Sequence, residues 1–337
     1  MIDFRSDTVT RPTAAMKQAM VDAELGDDVF SSDPTVNRLE AVVAERLGKE
    51  AALFVTSGTQ SNLSALLSHC QRGEEYIAGD LSHIYGHEAG GGAVFGSIQP
   101  QTVPMMADGL PDPVAIELAV KPDDNHYPIS RLLCIENTMD GKVQSIDRMD
   151  EAVSVGRKHG LSIHLDGARM WNASVALGVS GAELTAGFDS VSMCLSKWLG
   201  TPAGSVLSGS ADFIGRARRW RKMLGGGMRQ SGMLAAAGLH ALDHHIDRLA
   251  DDHDRAERLV KGLAEIPAIS ITSQDTNMVW IEIDSDGPAL QETLLAQGIE
   301  TLIGAGSPAS CRLVCHLDIT DDDVETTIGA FARALGN

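Results

Sequence analysis

Short apolar runs recur along this 337-residue chain, each ending in a polar or glycine-bearing turn and each followed by a helical stretch. "AALFVTSG" (51–58), "EYIAGD" (75–80), "RLLCIEN" (131–137), "LSIHLDGA" (161–168), "SVSMCLS" (190–196) and "GSVLSGS" (204–210) read as strands. Helices are expected from about Thr59, near His83, over roughly 147–160 in an amphipathic pattern, and around 211–223 and 230–265. Continuous apolar strands separated by helices require an α/β architecture, a mostly parallel sheet with helices on both faces. Beyond it, "ISITS", "NMVWIEID" and "CRLVCHL" alternate with helical stretches near 287–298 and 320–335, which describes a compact C-terminal α/β unit. We expect a large domain over residues 1–247 and a small one over 248–337, divided inside the helical stretch near 245–250.

Charge narrows the function classes. The net charge is -19, and an acidic chain repels nucleic acid and anionic membranes. No apolar run approaches the ~20 residues of a membrane span. The opening "MIDFRSDTVTRP" is charged and polar, unlike a signal peptide, so a cytoplasmic protein is expected. The five cysteines, Cys70, Cys134, Cys194, Cys311 and Cys315, are odd in number and scattered, as reduced thiols would be. Cys311 and Cys315 precede His316, but the segment reads as a strand and no second ligand pair lies nearby, so core packing rather than metal is expected.

In such a sheet, ligands collect at the carboxyl ends of the strands. Four strand ends qualify: Ser57-Gly58-Thr59, Asp80 to His83, Asp166 with Arg169, and Ser196-Lys197. "SGTQSN" opens a helix whose free N–H groups and Thr59 hydroxyl suit a phosphate; taken alone it reads first as a plain helix cap. Asp166 ends an apolar strand and needs a partner, either a protonated heterocyclic nitrogen or Arg169. Lys197 is a snorkelling surface group or, desolvated or beside other cations, a nucleophile able to form a Schiff base. Phosphate cradle, buried acid and strand-end lysine together describe a site for pyridoxal 5'-phosphate.

The segments "DFRSDTVTRP", "GDDVF", "DPTVNRLE", "GKEAALFVTSGTQSNL", "EAGG", "ENT", "GKV", "LDGAR", "CLSK", "GTPAGS", "RRWRKMLGGGMRQSG" and "RLVCHLD" carry a resemblance over nearly the whole length. The chain resembles the low-specificity L-threonine aldolases, within the aspartate-aminotransferase-like enzymes that use pyridoxal 5'-phosphate. The resemblance implies that Lys197 forms the imine, that Asp166 faces the ring nitrogen, and that Gly58, Thr59 and Ser196 touch the phosphate. It implies Arg169 beside the ring hydroxyl and the substrate carboxylate, and His83 stacked on the ring. Ser6 and Arg312 match positions that grip the substrate carboxylate, and His126 one near the substrate hydroxyl. Lys222 and Arg229, in the basic run 216–229, resemble residues that reach a neighbouring subunit's phosphate; on charge alone that run is a solvated helix face or a nucleic-acid patch. The family implies a homotetramer with active sites shared across a dimer interface.

The implied reaction is retro-aldol cleavage of a 3-hydroxy-amino acid to glycine and an aldehyde. Sequence leaves three candidates for the base: His83, His126 and a bound water. Met139, Asp140, Phe30, His87 and Trp198 depart from the family pattern, and Trp198 beside the lysine is the most consequential, because an indole in a tight turn must displace something. These departures leave the substrate side chain and the threo/allo preference open. Two other readings stand beside the aldolase: a different reaction of the same cofactor, such as β-elimination or transamination, and a non-catalytic relative.

Overall fold

The computed structural model describes residues 1–336. Its centre is a seven-stranded sheet built from β2 (Ala51–Val55), β3 (Glu74–Gly79), β4 (Gln99–Val103), β5 (Ile129–Glu136), β6 (Ser162–Gly167), β7 (Ser190–Cys194) and β8 (Ser205–Gly209), numbered after the short β1 (Ile2–Asp3). The spatial order is β2-β8-β7-β6-β5-β3-β4. All neighbours run parallel except β8, which is antiparallel to both β2 and β7. The exception has a local cause. Only the turn from Leu195 to Gly204 joins β7 to β8, too short for the crossover that a parallel neighbour needs.

Side-chain caps set where the covering helices start. Ser57 Oγ accepts from the Gln60 N–H at 3.1 Å and opens the helix Gly58–His69. Ser145 does the same for Arg148 at the head of Ile146–Lys158, whose buried face is Met149, Ala152, Val153 and Gly156. The strands Ser190–Cys194 and Ser205–Gly209 are buried at every residue, because helices cover both faces.

The expected helical stretch 230–265 is two helices, Gly232–His244 and Leu249–Leu263, with a break at His245–Arg248. His245 Nδ1 meets the Leu199 carbonyl at 2.7 Å inside that break, so the imidazole ties the break to the lysine turn. A second, antiparallel sheet follows: β9 (Ile269–Asp275), β10 (Met278–Ile283), β12 (Leu302–Ile303) and β13 (Ser310–Val314), in the order β12-β13-β10-β9. It has its own hydrophobic cluster, with Leu259, Val279, Ile281, Leu313 and Phe331 fully buried. The strand β1 pairs in parallel with β11 (Ile299–Glu300), which lies beside this smaller sheet in the chain. The amino-terminal segment therefore belongs spatially to the C-terminal unit before it crosses to the large sheet. No helix is long and apolar enough to cross a membrane among the described residues.

Candidate active site

The carboxyl ends of β2, β3, β5, β6 and β7 share one edge of the large sheet, and the polar strand ends gather there. The turn that carries Lys197 is shaped by two glycines. Gly200 has φ +73°, and a Cβ on it would stand 2.6 Å from Leu317; Gly204 has φ +106°, and its Cβ would stand 2.5 Å from the Phe54 ring. The Lys197 carbonyl accepts from Thr10 Oγ1 at 2.8 Å. Its ammonium group has no hydrogen-bond or ion-pair partner among the described residues, and the residue is half-buried beside the half-buried Ser196.

Asp166 is buried at the end of β6 and accepts only from neutral donors: Asn62 Nδ2 at 2.7 Å and the Ala168 N–H at 3.1 Å. Arg169 does not pair with it. Arg169 Nε and Nη2 each donate to Asp7 at 2.7 Å, and Asp7 is fully buried. Burial alone would push the Asp7 carboxyl up, but the Arg169 guanidinium outweighs it and holds the pKa below the usual range. Bidentate engagement by Asp7 leaves Arg169 the two Nη1–H groups and one Nη2–H for a further partner.

His83 stands at the end of β3. Its N–H donates to Glu136 Oε2 at 2.8 Å and its Nδ1 meets Glu88 Oε1 at 3.0 Å. The Glu88 bond raises the imidazole pKa, against burial. Burial raises the Glu88 carboxyl, and pushes Glu136 up to about 8, with the Asp166 charge adding to it. Ligand atoms of His83, Glu88 and Asp166 lie within 4.8 Å of one another. His87 is exposed, its ring centroid 5.7 Å from that of His83.

Arg312 lies on β13 and donates from Nη2 to the Arg5 carbonyl at 2.9 Å; its Nε is buried without a partner among the described residues. Burial lowers its pKa, and so does the nearby Arg169 charge. Two guanidinium groups within electrostatic reach of each other, one with an unmet donor, have the chemistry to suit an anion. Ser6 borders it, its Oγ accepting from the Thr8 N–H at 3.2 Å. At the opposite side, the helix opened by Ser57 leaves the N–H groups of Gly58 and Thr59 without an acceptor among the described residues.

Three expected residues stand apart from this cluster. His126 is exposed, with Nδ1 2.6 Å from Asp124, on the loop before β5. That loop is at the amino-terminal edge of the sheet, and Glu136 lies at the far end of the eight-residue β5. Arg229 is largely exposed and donates to Asp27 at 2.7 Å. Lys222 lines an open hollow of about 440 Å³ with Asp28, Val29, Arg218 and Arg219. The basic run around them is neither a solvated face nor a nucleic-acid patch throughout: Arg221 is buried against Asp28 at 2.7 Å and Arg218 pairs with Glu40 at 2.7 Å.

Trp198 is fully buried, and its Nε1–H donates to the Ala168 carbonyl at 3.1 Å. The indole fills the core beneath the turn and joins the Lys197 turn to the Asp166–Arg169 turn. Met139 is buried; Asp140 is exposed with φ +51°, and Phe30 is exposed. Sequence reasoning did not select Asp7, Asn62, Glu88 or Glu136. Their letters stand inside "DFRSDTVTRP", "SGTQSN", "EAGG" and "ENT", but only the fold turns these four toward Arg169, Asp166 and His83.

Comparison with known proteins identifies the family. Residues 3–286 match the model of the beta-eliminating lyase family. The chain is 51% identical over 336 residues to a low specificity L-threonine aldolase of Escherichia coli strain K12, covering 99% of each chain. It is 44% identical over 345 residues to low-specificity L-threonine aldolase 1 of Arabidopsis thaliana, covering 99% of this chain and 96% of the relative. Its fold matches a threonine aldolase of Leishmania major with a TM-score of 0.86 at 22% identity, covering all of both chains. A serine palmitoyltransferase of Sphingomonas wittichii shares the fold with a TM-score of 0.77 at 19% identity, over 99% of this chain and 86% of that one. With half its residues identical across the full length of a curated relative, the chain belongs to the low-specificity L-threonine aldolase family.

Proposed function

We propose that this protein cleaves L-threonine, L-allo-threonine and related 3-hydroxy-amino acids to glycine and an aldehyde, with pyridoxal 5'-phosphate as cofactor. The observation that carries the reading is the 51% identity to a low specificity L-threonine aldolase along the whole chain.

The residues fit that cofactor on their own terms. Asp166 is a buried carboxylate met only by neutral donors, which suits a protonated ring nitrogen. The open N–H groups of Gly58 and Thr59 suit a phosphate, with Ser196 beside the turn. The unpaired Lys197 ammonium suits covalent attachment to an aldehyde. When bound, the cofactor supplies a carbonyl that condenses with amines and a ring that takes up the electrons of a bond breaking at the α-carbon.

Every other contribution belongs to the chain. Lys197 supplies the amine, and its Thr10-anchored carbonyl fixes the turn. Asp166 holds a proton on the ring nitrogen. Arg312, with Ser6 and the free Nη1–Nη2 edge of Arg169, binds the substrate carboxylate. His83 would stack on the cofactor ring. Its Nδ1 is tied to Glu88, so Nε2 is the nitrogen that can take the substrate hydroxyl proton as the aldehyde leaves. A proton returned to the α-carbon restores the balance.

His126 enters as a contribution from a second copy, because its loop is on the far edge of its own sheet. We extend the proposal to a homotetramer whose sites are shared across a dimer interface, with Lys222 and Arg229 reaching the neighbouring phosphate. Exposed Val29, Phe30, Val94, Phe95 and Met223 offer apolar surface for such contacts. Light scattering on the purified protein tests the assembly, and a monomer would refute it. We divide the chain at 247/248, in the break between the two helices, and assign it to the cytoplasm, where five free buried thiols would persist reduced.

Borohydride reduction of the loaded protein, followed by peptide mapping, tests the site. The adduct is expected on Lys197, and an adduct on Lys222 would overturn the assignment. The match to the beta-eliminating lyase model favours one second reading, β-elimination. Incubation with L-threonine, L-allo-threonine and L-phenylserine separates the two: glycine plus an aldehyde supports cleavage, and ammonia plus a keto acid supports elimination.

A further inference from the structure

Five side chains form an unbroken line from the site into the interior of the large domain. Asn62 Nδ2 donates to Asp166 Oδ2 at 2.7 Å. The Asn62 amide oxygen meets His164 Nε2 at 3.1 Å. His164 Nδ1 meets Ser190 Oγ at 2.8 Å, and Ser190 Oγ meets His69 Nε2 at 2.7 Å. Asn62, His164, Ser190 and Asp166 are all buried, and the His69 ring stacks on Phe213 at 4.5 Å between centroids.

One proton arrangement satisfies every member. The Asn62 nitrogen lies 2.7 Å from Asp166 and 2.8 Å from Glu88, so the NH₂ faces the two carboxyl groups and the amide oxygen faces His164. That oxygen has no proton to give, so His164 Nε2 carries one. Burial pushes the His164 pKa down to about 4, so at neutral pH the ring has a single proton and Nδ1 is bare. Ser190 must then donate its hydroxyl proton to Nδ1. Its oxygen is left to accept from His69 Nε2–H, in a ring that burial likewise keeps neutral, with a pKa of about 3. Every donor points the same way, toward Asp166.

We infer that this one-way donor chain, from His69 through Ser190, His164 and Asn62, keeps the Asp166 carboxylate ionised without a protein cation of its own, and that Asn62, His164 and Ser190 are positioning residues for the proton on the bound ring. The inference rests on the cofactor reading above. Aligned hydrogen bonds polarise one another, so a distant donor strengthens the terminal bond. Donation to a carboxylate favours its charged form. With the chain intact the proton between acid and ring stays on the ring nitrogen; without it the proton moves toward the acid and the ring draws electrons less well.

The test uses holoenzyme loaded with cofactor labelled with ¹⁵N in the ring and follows that resonance by NMR. Ser190→Ala removes one oxygen far from the cofactor and breaks two links; Ser190→Thr keeps the hydroxyl. In the wild type and Ser190→Thr the resonance is expected in the protonated range, and in Ser190→Ala and His164→Leu it moves toward the unprotonated one. With it, kcat falls about tenfold while KM stays within about twofold. Where a deeper variant fails to fold, His69→Phe removes the outermost donor alone and is expected to move the resonance the same way by less. Identical resonances in wild type, Ser190→Ala and His69→Phe overturn the donor chain and leave the cofactor reading standing. A wild type that takes up no labelled cofactor overturns both.

Discussion

Arg169 and Asp7 are joined by two parallel hydrogen bonds of 2.7 Å, although Asp7 is shut off from solvent and stands 162 residues away in sequence. The pair fixes the plane of the guanidinium and leaves one edge of it for a ligand. Asp7→Ala would strand a buried cation. We expect a loss of about 3–5 kcal/mol in stability, read from urea unfolding. Asp7→Asn, which keeps one acceptor, should lose less. Equal stability of wild type and Asp7→Ala would refute the pairing.

Trp198 gives a second expectation. Trp198→Phe keeps most of the ring but loses the bond to the Ala168 carbonyl, at about 1 kcal/mol. Trp198→Ala empties a fully buried site and should cost about 3–5 kcal/mol. Because the indole lies under the turn rather than in the cleft, Trp198→Phe should change the rates on L-threonine and L-allo-threonine by a similar factor. A large change in their ratio, measured side by side, would show the indole acting on the substrate side chain.

Glu88 sets a pH expectation. Its hydrogen bond raises the His83 pKa above the ordinary value of 6.5, and a base must be unprotonated to work. Activity is therefore expected to fall as pH drops through that raised value. Glu88→Gln removes the charge and should move this acid limb of the rate profile to lower pH. An unmoved limb would mean that His83 is not the base.

Buried neutral histidines set an expectation for stability. Burial lowers His164 and His253 to about 4 and His69 to about 3. The unfolded chain takes up these protons near pH 6.5, so from about 6.5 down to about 4 it binds protons that the native state refuses, and stability falls with pH across that window. For the fully buried His164 the loss is on the order of 3 kcal/mol. His253→Gln, away from the cluster, should flatten part of the slope in thermal unfolding between pH 7 and 4. A slope identical to the wild type would refute its contribution.

Much of this was readable in the letters. Strands such as Ser190–Cys194 are buried throughout because both faces are covered, so their small and apolar residues stand out in the sequence, and the polar strand ends at Asp166 and Lys197 mark one edge. The strand Gln99–Val103 was invisible. It is the outermost strand, two of its five residues are exposed, and no apolar run betrays it. The split of 230–265 was hidden because neither proline nor glycine marks residues 245–248; the break is held by His245 bonding to Leu199, a tertiary contact. Arg169 is one of two partners that the sequence offers Asp166, the other being a ring nitrogen, and a carboxylate at the start of the chain takes the arginine. Spacing along the sequence ranks local partners and is silent about remote ones.

The pairing of the first strand with Ile299–Glu300, and the Arg312 bond to the Arg5 carbonyl across 307 positions, impose an order of events during synthesis. Residues 2–5 cannot settle until residues 299–312 have been made. The large sheet can form around the lysine turn well before then, but the two guanidinium groups are not yet together. On the proposed reading, half-finished chains would thus carry Lys197 without the Arg312 side of the cleft.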